Sequence, residues 1–161
     1  MTKDQPLLRL CAKLQAFFHK PFFTNPRTLF GLWTLLAVVA GLTKMAPHRH
    51  NNFLIFRGVF WHTIQKLSLY DFYPTEYNDH NHYGPIFSLV IAPFAVVPDA
   101  IGLLFWLVVL ALGMYYAVRR LPLEEGRQIF LYWFCAHELL TALQMQQFNI
   151  AIAAIIISSF A

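Results

Sequence analysis

Residues 101–118 read IGLLFWLVVLALGMYYAV, eighteen consecutive positions without a charge, and Arg119 and Arg120 follow at once. A helix rises about 1.5 Å per residue and a bilayer core is about 30 Å thick, so a run of this length is predicted to be a membrane-spanning helix. The paired arginines mark where it leaves the lipid. The composition agrees, with 58% hydrophobic, 17% aromatic and 12% charged residues. A soluble domain has about 45–50% apolar and about 25% charged residues. The sequence therefore predicts an all-α polytopic membrane protein.

On the N-terminal side, Leu29 to Ala46 (LFGLWTLLAVVAGLTKMA) is predicted to be the first transmembrane helix, with Lys44 near its end able to reach the interface. Lys3, Arg9, Lys13, Lys20 and Arg27 precede it. An excess of Lys and Arg marks the cytoplasmic side, so the N-terminus and Arg119 to Arg127 are expected in the cytoplasm and Arg49 to Pro98 outside, as in a multi-pass protein of a cell membrane such as a bacterial inner membrane. Residues 1–28 are expected to form a cytoplasmic interfacial amphipathic helix, because Leu7, Leu10, Cys11, Leu14, Phe17 and Phe18 recur at helical spacing. The basic region before the first span is too long for a cleaved signal peptide. The basic residues flank apolar runs, which makes them topology signals and argues against a nucleic-acid partner. Cys11 and Cys135 have neither the spacing nor the surroundings of a disulfide or metal knuckle.

Residues 99–161 are expected to supply the further transmembrane helices. Ile129 to Leu143 is expected to cross back outward, with the polar His137 and Glu138 turned to the protein interior and paired with a helix beyond this chain. Gln144, Gln146, Gln147 and Asn149 would follow at the outer surface. Ile150 to Ala161 is apolar but shorter than a span, so the chain is expected to be the N-terminal part of a longer protein and inactive by itself.

Chemistry is expected in residues 47–98, which carry His50, His62, His80 and His82 with Asp71, Glu76 and Asp79. Phe53, Phe56, Phe60, Ile64 and Leu67 stand at three- and four-residue steps, predicting a helix laid against the membrane with Arg57, His62, Gln65 and Lys66 as its polar positions. The following SLYDFYPTEYNDHNHYG has no period and is predicted to be an ordered irregular loop. Pro85 to Val97, short and interrupted by Pro93, should be a partly inserted helix. Asp79, among His80 and His82 just before the Tyr-Gly-Pro turn, has little structural reason to be there and is the first of the loop carboxylates to stand as a candidate for chemistry, with Glu76 and Asp71 behind it. His80 and His82 lack further ligands at fixed spacing, so substrate contact is expected of them rather than metal binding, and no cofactor is expected.

Asn52-Phe53-Leu54-Ile55-Phe56, Leu69-Tyr70-Asp71, Tyr83-Gly84-Pro85-Ile86-Phe87, Ala92-Pro93-Phe94, Pro98, Trp106 and Gln147-Phe148-Asn149 follow one another in the order and spacing seen in glycosyltransferase family 87. From about Asn51 to Ile157 the chain resembles that family of membrane transferases with the GT-C fold. The resemblance implies a GT-C-like helical bundle whose first extracytoplasmic loop carries membrane-surface helices. It implies transfer of a sugar, often mannose, from a polyprenyl-phosphate donor to a lipid or glycan acceptor, with membrane lipids as neighbours. It also implies that the residue just after the first span lies near the chemistry. That residue is usually a carboxylate, and here Asn52 stands there with Asn51 beside it. The catalytic candidates are accordingly Asp79 and Asn52, and the substrate-binding candidates Asn51, Arg57, His80, His82, Tyr83, Gln147 and Asn149. No glycine-rich phosphate loop is present, in keeping with a donor that is not a nucleotide. Two other classes fit a polytopic chain: a non-catalytic glycan- or lipid-binding membrane protein, which the Asn51-Asn52 pair would suit, and a transporter fragment. A transporter usually places its polar groups midway along broken helices, not in one loop.

Overall fold

A computed structural model describes residues 9, 10, 12, 13, 16, 20–46 and 49–161. The amphipathic helix expected over residues 1–28 lies largely outside the described residues. Among these residues there are helices and loops but no strand. The elements are α1 (Pro21–Thr24), α2 (Pro26–Lys44), α3 (Asn51–Gln65), α4 (Phe87–Ala95), α5 (Asp99–Arg120), α6 (Glu125–Phe134), α7 (Ala136–Gln144) and α8 (Asn149–Ser159). Of these, α2 and α5 are long and apolar enough to cross a membrane.

The start of α2 is set by its first residues. Asn25 accepts the Arg27 backbone N–H through Oδ1 at 2.8 Å, and Pro26 fills the first turn, where its missing N–H costs nothing. Leu29, Trp33, Ala37, Ala40 and Gly41 then form one buried stripe. That stripe packs against α5, running the other way, so Tyr115 meets Phe30 and Trp33 near one end and Leu104 meets Gly41 near the other. Small residues at Ala37, Ala40 and Gly41 let the two backbones approach, which suits helix pairing where no hydrophobic effect is available. The other face of α5 carries α8, while α7 lies along α2.

Over the segment from Ile129 to Leu143 the chain forms parts of two short helices that meet at Cys135. The reason sits 99 residues away in sequence: the Trp33 indole N–H donates to the Tyr132 carbonyl at 3.2 Å, just where the helix breaks. A side chain inserted into the backbone ladder is a usual cause of a kink. Tyr132 also donates its hydroxyl to the Tyr115 carbonyl at 2.9 Å, and Trp133 donates its indole N–H to the Phe23 carbonyl at 2.9 Å, so α6 is held from three sides. His137 and Glu138, expected to pair with a helix beyond this chain, are more than four-fifths exposed within it and lie 3.5 Å apart. Cys135 is a free thiol.

Candidate functional site

The polar elements gather where α2 ends and α3 begins. His50 donates its Nδ1–H to the Lys44 carbonyl at 3.0 Å, turning the chain back on itself. Asn51 and Asn52 then open α3 and reach in two directions. Asn51 Oδ1 accepts the Asn78 backbone N–H at 2.7 Å, and Asn52 Nδ2–H donates to the Met145 carbonyl at 2.8 Å. The two amides thus tie α3 to the loop before α4 and to the turn between α7 and α8. Met145 belongs to a helix end closed by Gln146 in the left-handed region (φ 50), where Gln147 N–H reaches the Ala142 carbonyl and Gln146 N–H the Leu143 carbonyl.

The register of α3 differs from the expected one. Its buried face is Phe53, Phe56, Val59 and His62, spaced by three, while Ile64 and Leu67 are exposed. His62, expected among the polar positions, is only 2% exposed, its ring 4.0 Å from that of Tyr73. Its Nε2 lies 3.0 Å from Glu76 Oε2. Phe56 carries the aromatic cluster that joins the segments, packing against Tyr83, Phe87 and Trp106. Phe148 completes it from the α7–α8 turn, stacked on Trp106 and edge-on to Phe87.

The loop from Lys66 to Ile86 is irregular, as expected, but not loose. Asn81, buried at 3% exposure, donates through Nδ2 to the carbonyls of Leu69 and Tyr83 and accepts the Tyr83 N–H through Oδ1. Tyr73 donates its hydroxyl to the Ser68 carbonyl at 2.8 Å. Tyr77 lies over Gly58, where a Cβ would meet its ring at 2.7 Å, so only glycine allows that contact. Burial first, then the charge of Glu76 and the neighbouring Tyr73, pushes the Tyr77 hydroxyl up to about 12, and it stays protonated. Burial also raises Tyr83.

Between α3, this loop and the start of α5 lies a cleft of about 270 Å³. His50, Asn51 and Leu54 form one wall, Pro74 to Asn78 the second, and Asp99 closes it. Arg57 stands beside it, its Nε–H donating to the Ala95 carbonyl at 3.1 Å and its guanidinium in an ion pair with Asp99. Burial lowers the Arg57 pKa from its ordinary value.

The expected site residues fall into three groups. Asn51 lines the cleft, Arg57 reaches it through Asp99, and Asn52 and Tyr83 sit in the framework that holds the corner together. Gln147 and Asn149 are exposed in the turn that Asn52 grips. Asp79, His80 and His82 lie exposed beyond the cleft, with Asp79 Oδ1 accepting the His80 backbone N–H at 2.7 Å and the His80 ring edge-on to Phe72. Among the described residues, no three His, Cys, Asp or Glu side chains cluster as metal ligands. Asn81, Asp99 and the His62–Glu76 pair were not singled out by sequence reasoning. For His62 the signal was present, because Phe53 and Phe56 also begin a series of three-residue steps that ends on it.

Two helices are long and apolar enough to cross a membrane, and a polar cleft is built where one ends and the other begins. The sequence model of glycosyltransferase family 87 matches residues 81–161, just over half of the chain. The chain belongs to glycosyltransferase family 87, as its motifs indicated. No curated protein and no solved structure matches it.

Proposed function

We propose that the protein is an integral-membrane transferase that moves a sugar, such as mannose, from a polyprenyl-phosphate donor to a lipid or glycan acceptor. In this reading the N-terminus and Arg119 to Arg127 face the cytoplasm, and the cleft opens at the outer face. The supporting observation is how the family-matched half meets the polar loop. Asn52 grips Met145, and Phe148 packs beneath Tyr83 and Phe87, so the glutamine–phenylalanine–asparagine element is fastened to the cleft's own helix. A donor with an isoprenoid tail needs lipid beside its sugar site. A cleft at the end of two spans supplies that, while Arg57 stands close enough to answer a phosphate if Asp99 shares it.

The amides at the start of α3 have a role that a carboxylate would not fill. Asn52 donates a hydrogen bond to a carbonyl, which an ionised carboxylate cannot do. The base must then come from the loop carboxylates, and Asn51 and Asn52 fix the loop and turn around them. Purified full-length protein in proteoliposomes, offered polyprenyl-phosphate hexoses or nucleotide sugars with membrane lipid as acceptor, tests this. Transfer from the polyprenyl donors is expected. Transfer from nucleotide sugars alone would overturn the reading.

A further inference from the structure

Asp79 and Glu76 both lie in the loop, but only Glu76 lines the cleft. Asp79 is exposed at the loop's outer side and already caps the His80 N–H. Glu76 sits in a helical turn closed by its own N–H and that of Tyr77 on the Tyr73 carbonyl, at 2.9 and 3.1 Å. The turn is pinned on one side by Tyr77 over Gly58 and on the other by the Asn78 to Asn51 bond.

His62 approaches Glu76 from beneath. A carboxylate accepts and the ring nitrogen facing it must carry the hydrogen, so Nε2–H donates to Oε2 at 3.0 Å. The ring is fixed by its burial and by Tyr73, and its Nδ1 has no partner in the buried interior. The fold therefore keeps a histidine that is only half satisfied at a core position, with its one bond directed at Glu76. The Glu76 side chain is 48% exposed and has a second oxygen for a ligand. Asp99, the other carboxylate of the cleft, is engaged by Arg57.

We propose that Glu76 is the general base of the transfer and that His62 is its positioning residue, an assignment that rests on the glycosyltransferase reading. The acceptor hydroxyl oxygen bonds to the anomeric carbon of the donor. The bond from that carbon to the phosphate oxygen breaks, and its electron pair leaves with the polyprenyl phosphate. The hydroxyl proton passes to Glu76.

The test compares full-length wild type, Glu76→Gln, Glu76→Asp and Asp79→Asn in proteoliposomes, with polyprenyl-phosphate mannose and polyprenyl-phosphate glucose as donors and membrane lipid as acceptor. Glutamine keeps an oxygen for the His62 N–H, so the fold is retained, which a melting curve checks. Glu76→Gln should lower kcat by ~100-fold or more with donor KM nearly unchanged, as for a group acting in the transition state. Glu76→Asp should recover part of the loss, and Asp79→Asn should lower kcat far less than Glu76→Gln does. For His62, His62→Phe should lower kcat with KM kept, and His62→Gln, which can donate to Glu76 again, should regain part. If wild type transfers and Glu76→Gln keeps pace with it, the base assignment is overturned and the transferase reading stands. If wild type transfers from neither donor, both fall.

Discussion

At Gly102, α5 lies against the backbone of α4 and the ring of Phe53 from α3, and Gly102→Ala is the perturbation that measures how much the site depends on that approach. A Cβ there would run into the backbone carbonyl oxygen of Phe94 and lie 2.9 Å from Phe53 Cζ. The carbonyl belongs to α4 and cannot rotate away, so α4 or α5 must move. Overpacking of this kind costs about 1–3 kcal/mol. Gly113 lies on the same helix with nothing within 4 Å, and there alanine should be neutral or stabilising by up to about 1 kcal/mol through helix propensity. Each kcal/mol moves a melting temperature by about 2–4 °C in a chain of this size, so the two variants should melt several degrees apart, on opposite sides of wild type or nearly so. The site should report the shift as well, because Asp99 stands three residues before Gly102 and holds Arg57. Thermal melting in detergent is the assay. If Gly102→Ala melts like Gly113→Ala, the close packing of the three helices is not what the structure indicates.

Lys66 closes α3 in the left-handed region (φ 57) with its side chain exposed, so Lys66→Gly should stabilise by about 1 kcal/mol, read as a raised melting temperature. Asn52→Ala removes the bond to Met145 and should cost about 0.5–1.5 kcal/mol, with faster amide exchange at Gln146 and Gln147 and no comparable change in α6. In protein lacking Cys11 and Cys135, a cysteine at Asn78 should react with an impermeant reagent from the outer side and one at Gly126 should not; the reverse pattern would invert the proposed orientation.

How much of this could be read from the sequence depended on the range of the interaction responsible. Helix α5 was legible because eighteen uncharged residues ending in two arginines need no partner to be recognised. Helix α4 was legible from its short apolar run around Pro93, and the loop before it from the absence of any period. The kink at Cys135 was not, because nothing local breaks the helix and the Trp33 indole that takes the Tyr132 carbonyl comes from α2. His137 and Glu138 were expected against a further helix because charge in lipid is costly, and within this chain they lie on an open face, 3.5 Å apart. At the site, the Asn51-Asn52 pair could be placed beside the chemistry by resemblance, but its partners Asn78 and Met145 could not be known from spacing. The burial of His62 turned on whether α3 steps by three or by four after Phe56, and the sequence supports either.

The most direct measurement is the mass balance of the reaction. Purified full-length protein in proteoliposomes is given a single polyprenyl-phosphate hexose with membrane lipid and no nucleotide, and free polyprenyl phosphate and glycosylated lipid are followed together. The account predicts that both appear at the same rate, one for one. Polyprenyl phosphate released without a glycosylated product, or neither species above a protein-free control, would contradict it.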